Sequence, residues 1–144
     1  MNRPVRTKQM ANTTEDTPSF EEDYLDVDHW PHRWRIEPGD LLVGERLLDI
    51  FKHFLSDLLE QKLSRKTLLL HREHVNTLGE EVIRRVHGKP DLRRKKMVPV
   101  LLVYLDEDGG PVIYPPTSSP KQRSFDNTCV KLRKFLLNSP PRSE

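Results

Sequence analysis

Apolar residues recur at helical spacing in several stretches of this chain. In Leu63 to Val86, LSRKTLLLHREHVNTLGEEVIRRV, apolar or part-apolar positions fall at Leu68, His71, Val75, Leu78, Val82 and Val86. Steps of three and four residues keep them on one helical face. Ser64 precedes the run as an N-cap, its hydroxyl able to accept from a free backbone N–H of the first turn. The pattern predicts a helix over 65–87. Ahead of it, Leu47, Phe51, Phe54, Leu55, Leu58 and Leu59 form the stripe of a helix over 41–62, with Asp40 as its cap. Leu63 and Ser64 join the two so tightly that they form an αα-hairpin or a corner. Phe125, Cys129, Leu132 and Leu136, with Phe135 beside them, mark a last helix over 121–137. Ser119 and Pro120 open that helix, and Asn138, Pro140 and Pro141 close it.

Two places resist simple periodicity. Gly79 sits inside the second helix, where glycine costs about 1 kcal/mol relative to alanine. Either a close helix contact or a bend is expected there. Residues 97–114, MVPVLLVYLDEDGGPVIY, read as a β-hairpin by local propensity, with DEDGG as the turn. They also read as a helix with Pro99 in its first turn and Gly109 near its stop. The helix, over 98–107, is the adopted reading, because a lone two-strand ribbon would leave exposed edges in an otherwise helical domain. The expected fold is all-α: four helices, as two helical hairpins, around Phe51, Phe54, Leu58, Leu68, Val75, Leu78, Val82, Phe125, Leu132 and Phe135.

The flanks read differently. Residues 1–28 are expected to be a disordered tail, since large apolar groups are few there. Residues 29–40 form an irregular lead-in that contains Trp30 and Trp34, interrupted by Pro31. Trp34 and Ile36 are expected to pack on the domain as a lid, the alternative being an aromatic clamp for a ligand. The domain then spans 41–137, and 138–144 is a C-terminal tail.

Length and charge sharpen this picture. A chain of 144 residues with 35% hydrophobic content has room for one modest domain. The formal charge is only +2, but residues 15–28 carry seven acidic and no basic groups, whereas residues 64–97 carry ten basic and four acidic ones. Residues 121–144 add six basic and two acidic groups. The single cysteine, Cys129, allows no intrachain disulfide and no cysteine-rich zinc site. The longest apolar run, Val98 to Leu105, has eight residues, against about 20 for a membrane span. The N-terminus has no apolar secretory core. A cytoplasmic protein with no membrane partner is the expectation.

Candidate chemistry is sparse. His71 and His74 could share a metal from one helix face, yet a site needs a third and usually a fourth ligand, and no spacing rule joins His53 or His87 to them. A hydrogen-bonded, half-buried His71 with His74 on the surface is the plainer expectation, and no metal is expected. Cys129 falls on the apolar stripe, where a free cysteine behaves as a small hydrophobe. Asp106, Glu107 and Asp108 lack the alternation of a calcium loop and read as a solvated turn. Gly109-Gly110 is too short for a phosphate-binding loop. No cofactor and no catalysis are expected.

The basic groups carry what signal remains. Arg65 and Lys66 open a helix, where free backbone N–H groups also attract phosphate. Arg72 follows on that helix. Arg93 and Arg94 lie in the basic connection after it. Lys121, Arg123, Lys131 and Arg133 decorate the last helix. Such residues suit phosphate contacts, which give affinity without sequence preference.

Phe54 to Ile83, FLSDLLEQKLSRKTLLLHREHVNTLGEEVI, resembles the first two helices of the core-binding domain of phage integrases and tyrosine recombinases. Phe125 to Leu137, FDNTCVKLRKFLL, is similar to that domain's last helix, with Thr128, Leu132, Arg133 and Phe135 at matching places. The segments around SRKT, DEDGGP and QRSFDNTC also resemble an uncharacterised bacterial family, which implies no mechanism. The integrase resemblance covers 41–137 and implies a four-helix, SAM-like fold that grips one side of a DNA duplex. In recombinases a catalytic domain follows the last helix. This chain stops at Glu144, so none of its residues is expected to inherit those roles. The expected function is a non-catalytic module that binds double-stranded DNA, a relic or accessory of a mobile element. Its contacts would come from Arg65, Lys66, Arg72, Arg93, Arg94, Lys121, Arg123, Lys131 and Arg133. The alternative is a helical protein–protein adaptor, binding a partner or itself through the acidic tail. Convergence of the arginines on one concave face favours DNA, and scatter favours the adaptor.

Overall fold

The computed structural model describes residues 19–138. Within them the chain is all-α. Its helices are α1 (Phe20–Tyr24), α2 (Trp30–Trp34), α3 (Asp40–Glu60), α4 (Arg65–Val86), α5 (Met97–Tyr104) and α6 (Ser119–Asn138), with a 3₁₀ turn at Pro90–Arg94. Among the described residues there is no strand, only an isolated bridge between Asp106 and Gly109. No helix there is long and apolar enough to cross a membrane.

The hairpin of α3 and α4 forms for the reasons visible in its sequence. Ser64 is extended, and its hydroxyl accepts from the Thr67 N–H. Lys62, at φ 60°, turns the chain out of α3. The two helices face each other across Phe51, Phe54, Leu58, Leu68, Val75, Leu78 and Val82, all buried. The last helix, α6, closes this core with Phe125, Leu132 and Leu136, and Phe54, Val75 and Phe125 belong to one continuous cluster. Phe135 is half-buried, its ring 5.6 Å from that of Phe54.

Two short helices replace what was expected to be irregular or disordered. The tail predicted over 1–28 is folded from residue 19 on. Ser19 and Glu22 form a reciprocal capping box around the first turn of α1. Tyr24 and Val27 are then buried in the core. The Tyr24 hydroxyl donates to the Leu55 carbonyl of α3 at 3.1 Å. Two core anchors outweigh an acidic composition, and the acidic side chains point outward. Residues 1–18 and 139–144, covering the rest of the expected tails, lie outside the described residues. The lead-in is likewise helical: Pro31 sits in the first turn of α2, where its missing N–H costs nothing. Trp30 and Trp34 are both buried, whereas Ile36, expected beside Trp34, is 56% exposed.

The ambiguous segment is a helix, but it is shorter than 98–107. α5 ends at Tyr104, and Leu105 is extended. Asp106 then makes the turn, its Oδ1 accepting from the N–H groups of Asp108 and Gly109 at 2.8 and 2.9 Å. The acidic triplet is thus a turn with an Asx bond. Beyond it, the chain from Gly110 to Pro116 is latched to α4. Buried Glu81 accepts from the Tyr114 N–H at 3.0 Å and pairs with Arg84 and Arg85. Arg85 also donates to the Val112 carbonyl at 3.0 Å.

Candidate functional site

The predicted phosphate-binding residues have different immediate neighbours. Arg65 lies over the Phe20 ring at 4.8 Å, and Arg72 donates to the Asp23 carbonyl at 3.0 Å. Both are therefore turned toward the α1 segment. Arg93 is in the 3₁₀ turn after α4, ion-paired with Glu37 and packed against Gly39. Arg94 is exposed on the segment that follows. Arg133 is half-buried in a groove with Asp106, Glu107 and Asp108. Lys131 lines a different groove, with Lys134 and Gln61. Lys66, Lys121 and Arg123 are exposed. The four arginines whose convergence was the criterion, Arg65, Arg72, Arg93 and Arg133, have neighbours on different elements. Sequence spacing could place them off the apolar stripes but could not show which distant groups they would meet.

The histidines also find partners. Nδ1 of His71 and Nδ1 of His74 each lie 2.7 Å from the Thr128 hydroxyl of α6. A hydroxyl has one proton to donate, so it can donate to only one of the two imidazoles, and at least one ring carries its proton on Nδ1 and donates to it. Burial holds the pKa of His71 below its ordinary value, helped by Lys131 and His74. Burial does the same for His74, opposed by Glu73. His74 is half-buried with its ring edge-on to Phe125, which corrects its expected surface position. His53 bonds instead to its own helix, at the Asp49 carbonyl. The Cys129 thiol is buried, and burial pushes its pKa up, with Asp126 and Asp106 adding to the shift. It is poorly suited to nucleophilic work.

A trio that the sequence did not suggest is Glu37, Asp40 and His87, whose ligand atoms lie within 4.8 Å of one another. Their chemistry is already satisfied. Asp40 Oδ2 accepts from the Ile36 and Glu37 N–H groups at 2.9 and 3.0 Å and lies 3.1 Å from His87 Nδ1. Burial pushes the Asp40 pKa up, but these hydrogen bonds prevail and its carboxyl titrates below the ordinary value. The Arg93 guanidinium already holds Glu37. The cluster ties the start of α3 to the end of α4.

The exposed face of α5 has a different character. The sequence MVPVLLVY is apolar all round, a composition that normally belongs to a helix buried on every side. Met97, Val100 and Leu101 do enter the core. Pro99 and Val103 do not: Pro99 is exposed and Val103 is 76% exposed. Beside them a groove of about 770 Å³ runs between α5 and the 3₁₀ turn, floored by Pro90, Leu92, Val100 and Tyr104. Lys89, Asp91 and Lys95 line it as well. Arg46 of α3 fixes this rim by donating to the carbonyls of Arg93 and Lys95 at 2.6 and 3.3 Å. The sequence offered no sign of an open face here, because a uniformly apolar run has no periodicity from which to read inside and outside.

Comparison of the chain with protein-family models, curated proteins and solved structures gave no match.

Proposed function

We propose that this chain is a non-catalytic helical adaptor that binds protein through the outer face of α5. The observation that carries this reading is the exposure of Pro99 and Val103 on a helix with no charged side chain. Exposed apolar surface beside a groove is costly in water and marks association sites. Arg65, Arg72 and Arg93 are engaged within the chain, by the Phe20 ring, the Asp23 carbonyl and Glu37, which accords with the same reading. The test compares the wild-type chain with V103E for a stoichiometric protein complex on purification from cells. Val103 is exposed, so V103E should melt like the wild type while losing the complex. A complex retained at full strength by V103E would overturn the assignment of the face.

A second reading keeps the DNA role. It rests on Lys131 and Lys134, which flank a groove with Gln61 just ahead of Ser64, and on exposed Lys66 at the start of α4. In that reading α3 to α6 stand for the four helices of a SAM-like core-binding domain of a cytoplasmic mobile-element protein. The contacts would be to phosphates, with a Kd of about 10⁻⁴–10⁻⁶ M at physiological salt. Titration of random duplex DNA across a salt series decides it. Salt-sensitive binding that K66A/K131A weakens for all duplexes alike would favour DNA over the adaptor.

A further inference from the structure

We propose that the partner of α5 is a protein segment that carries apolar side chains beside carboxylates; this rests on the reading of α5 as a docking face. The argument comes from the charges that line the groove itself. Pro99, Val103 and Tyr104 share it with two basic groups, Lys89 and Lys95, and one acidic group, Asp91. Lys89 and Lys95 are exposed, as are Pro99 and Val103. One ligand can therefore meet the ammonium groups and the apolar surface together.

The positive charge continues past the groove. Lys95 also lines the neighbouring groove against α3, where Arg46, Arg94 and Lys96 accompany it and Glu45 and Asp49 oppose them. The two grooves, joined at Lys95, thus hold five basic and three acidic side chains. Lys89, Arg94, Lys95 and Lys96 are in no ion pair among the described residues, whereas Arg93 of the same stretch is taken up by Glu37. An apolar surface with this rim attracts carboxylates and repels a basic segment. The acidic turn beyond Tyr104 lines a separate groove with Arg133, so the partner's carboxylates belong on the Lys89 and Lys95 side. The described residues offer no strand for a partner to extend, so side chains must carry the recognition.

The test presents short random peptides on phage to the immobilised full chain. Recovered peptides are then synthesised with a fluorophore and titrated by anisotropy against the wild type, V103S and K89E/K95E, each checked for an unchanged thermal melt. V103S removes the apolar contact without adding charge. The proposal predicts that the wild type selects peptides with apolar residues next to Asp or Glu, and that their affinity falls with salt. It should fall at least about fivefold on V103S, as expected of a central apolar contact, and at least about tenfold on K89E/K95E, where like charges meet. Replacing the peptide's carboxylates by amides should also weaken binding to the wild type, which tests the charge without altering the protein. Peptides that depend on Val103 but carry no acidic residues, or acidic peptides that bind K89E/K95E at full strength, would overturn the acidic partner and leave the docking face standing. Acidic peptides that ignore V103S, or no recovered peptide at all, would overturn both the acidic partner and the docking face.

Discussion

The indole of Trp34 lies against Gly79 so closely that a Cβ at position 79 would stand 2.2 Å from Cζ2 of the ring. α2 reaches α4 at this point, and the glycine is the space it enters. The ring is not free to retreat. Its Nε1 donates to Asn76 Oδ1 at 2.8 Å, and its edge meets Phe51 with centroids 5.9 Å apart. The helix keeps its glycine for packing.

G79A should therefore destabilise the protein although alanine is the better helix former. Propensity favours alanine by about 1 kcal/mol. Overpacking against a fixed ring costs about 1–3 kcal/mol and occasionally more, so the net change should be unfavourable. Urea denaturation followed by tryptophan fluorescence measures it. A rise in the midpoint would contradict the packing.

Tyr24 should prove to be a core residue despite its acidic surroundings. Y24A should lose about 3–5 kcal/mol, the usual range for truncating a buried aromatic. Y24F removes only the bond to the Leu55 carbonyl and should lose roughly 0.5–1.5 kcal/mol. Deleting residues 1–28 should lower the melting temperature at least as far as Y24A. An unchanged melt after the deletion would return residues 19–28 to the status of a tail.

These two cases show what the chain reveals about itself. The hairpin of α3 and α4 is legible because its stripe and the Ser64 cap are local signals. The choice of helix for α5 follows from the cost of bare strand edges, a global argument that local propensity opposed. α1 is illegible because two anchors, Tyr24 and Val27, are too few to make a periodicity among seven acidic groups in residues 15–28. The reason for Gly79 is illegible because its partner lies 45 positions away at Trp34. The basic residues of α4 lie off its buried stripe, with Arg65, Lys66 and Arg84 exposed and Arg72 and Arg85 half-buried. What each meets, such as Phe20 for Arg65 and Asp23 for Arg72, depends on tertiary placement.

Stability should depend on pH through His71 and His74, whose burial disfavours the charged imidazolium. Both His71 and His74 have folded pKa values below the ordinary 6.5. The unfolded chain therefore binds protons first as pH falls. Stability should be fully present above about pH 6.5 and should decline below it toward the folded values, with a limiting slope of about 1.4 kcal/mol per pH unit for each histidine. Asp40, also lowered, should add a separate loss only as pH falls below its ordinary 3.8. Urea midpoints at pH 8, 7, 6 and 5 test the histidines, and H71Q/H74Q should flatten the change between pH 7 and 5. An equally steep fall in that variant would place the titration elsewhere.

Glu81 should matter to the α5–α6 connection more than to the helix that carries it. E81A removes the acceptor of the Tyr114 N–H and leaves Arg84 and Arg85 without their carboxylate. Because both arginines are partly exposed, the loss should be about 1–3 kcal/mol. Amide exchange should rise at Tyr114 more than in α4. Equal protection of Tyr114 in E81A would show that the latch is dispensable.

The docking face itself is tested most directly by photo-cross-linking from single positions in cells. A photoreactive residue is placed in turn at Val103, Leu70, Arg33 and Val112, and adducts are identified by mass spectrometry. The account predicts a defined protein adduct from Val103, either a second copy or another chain, and none of comparable yield from Leu70 or Arg33. Equal labelling from all positions, or an adduct from Leu70 in preference to Val103, would contradict the assignment of α5 as the binding surface.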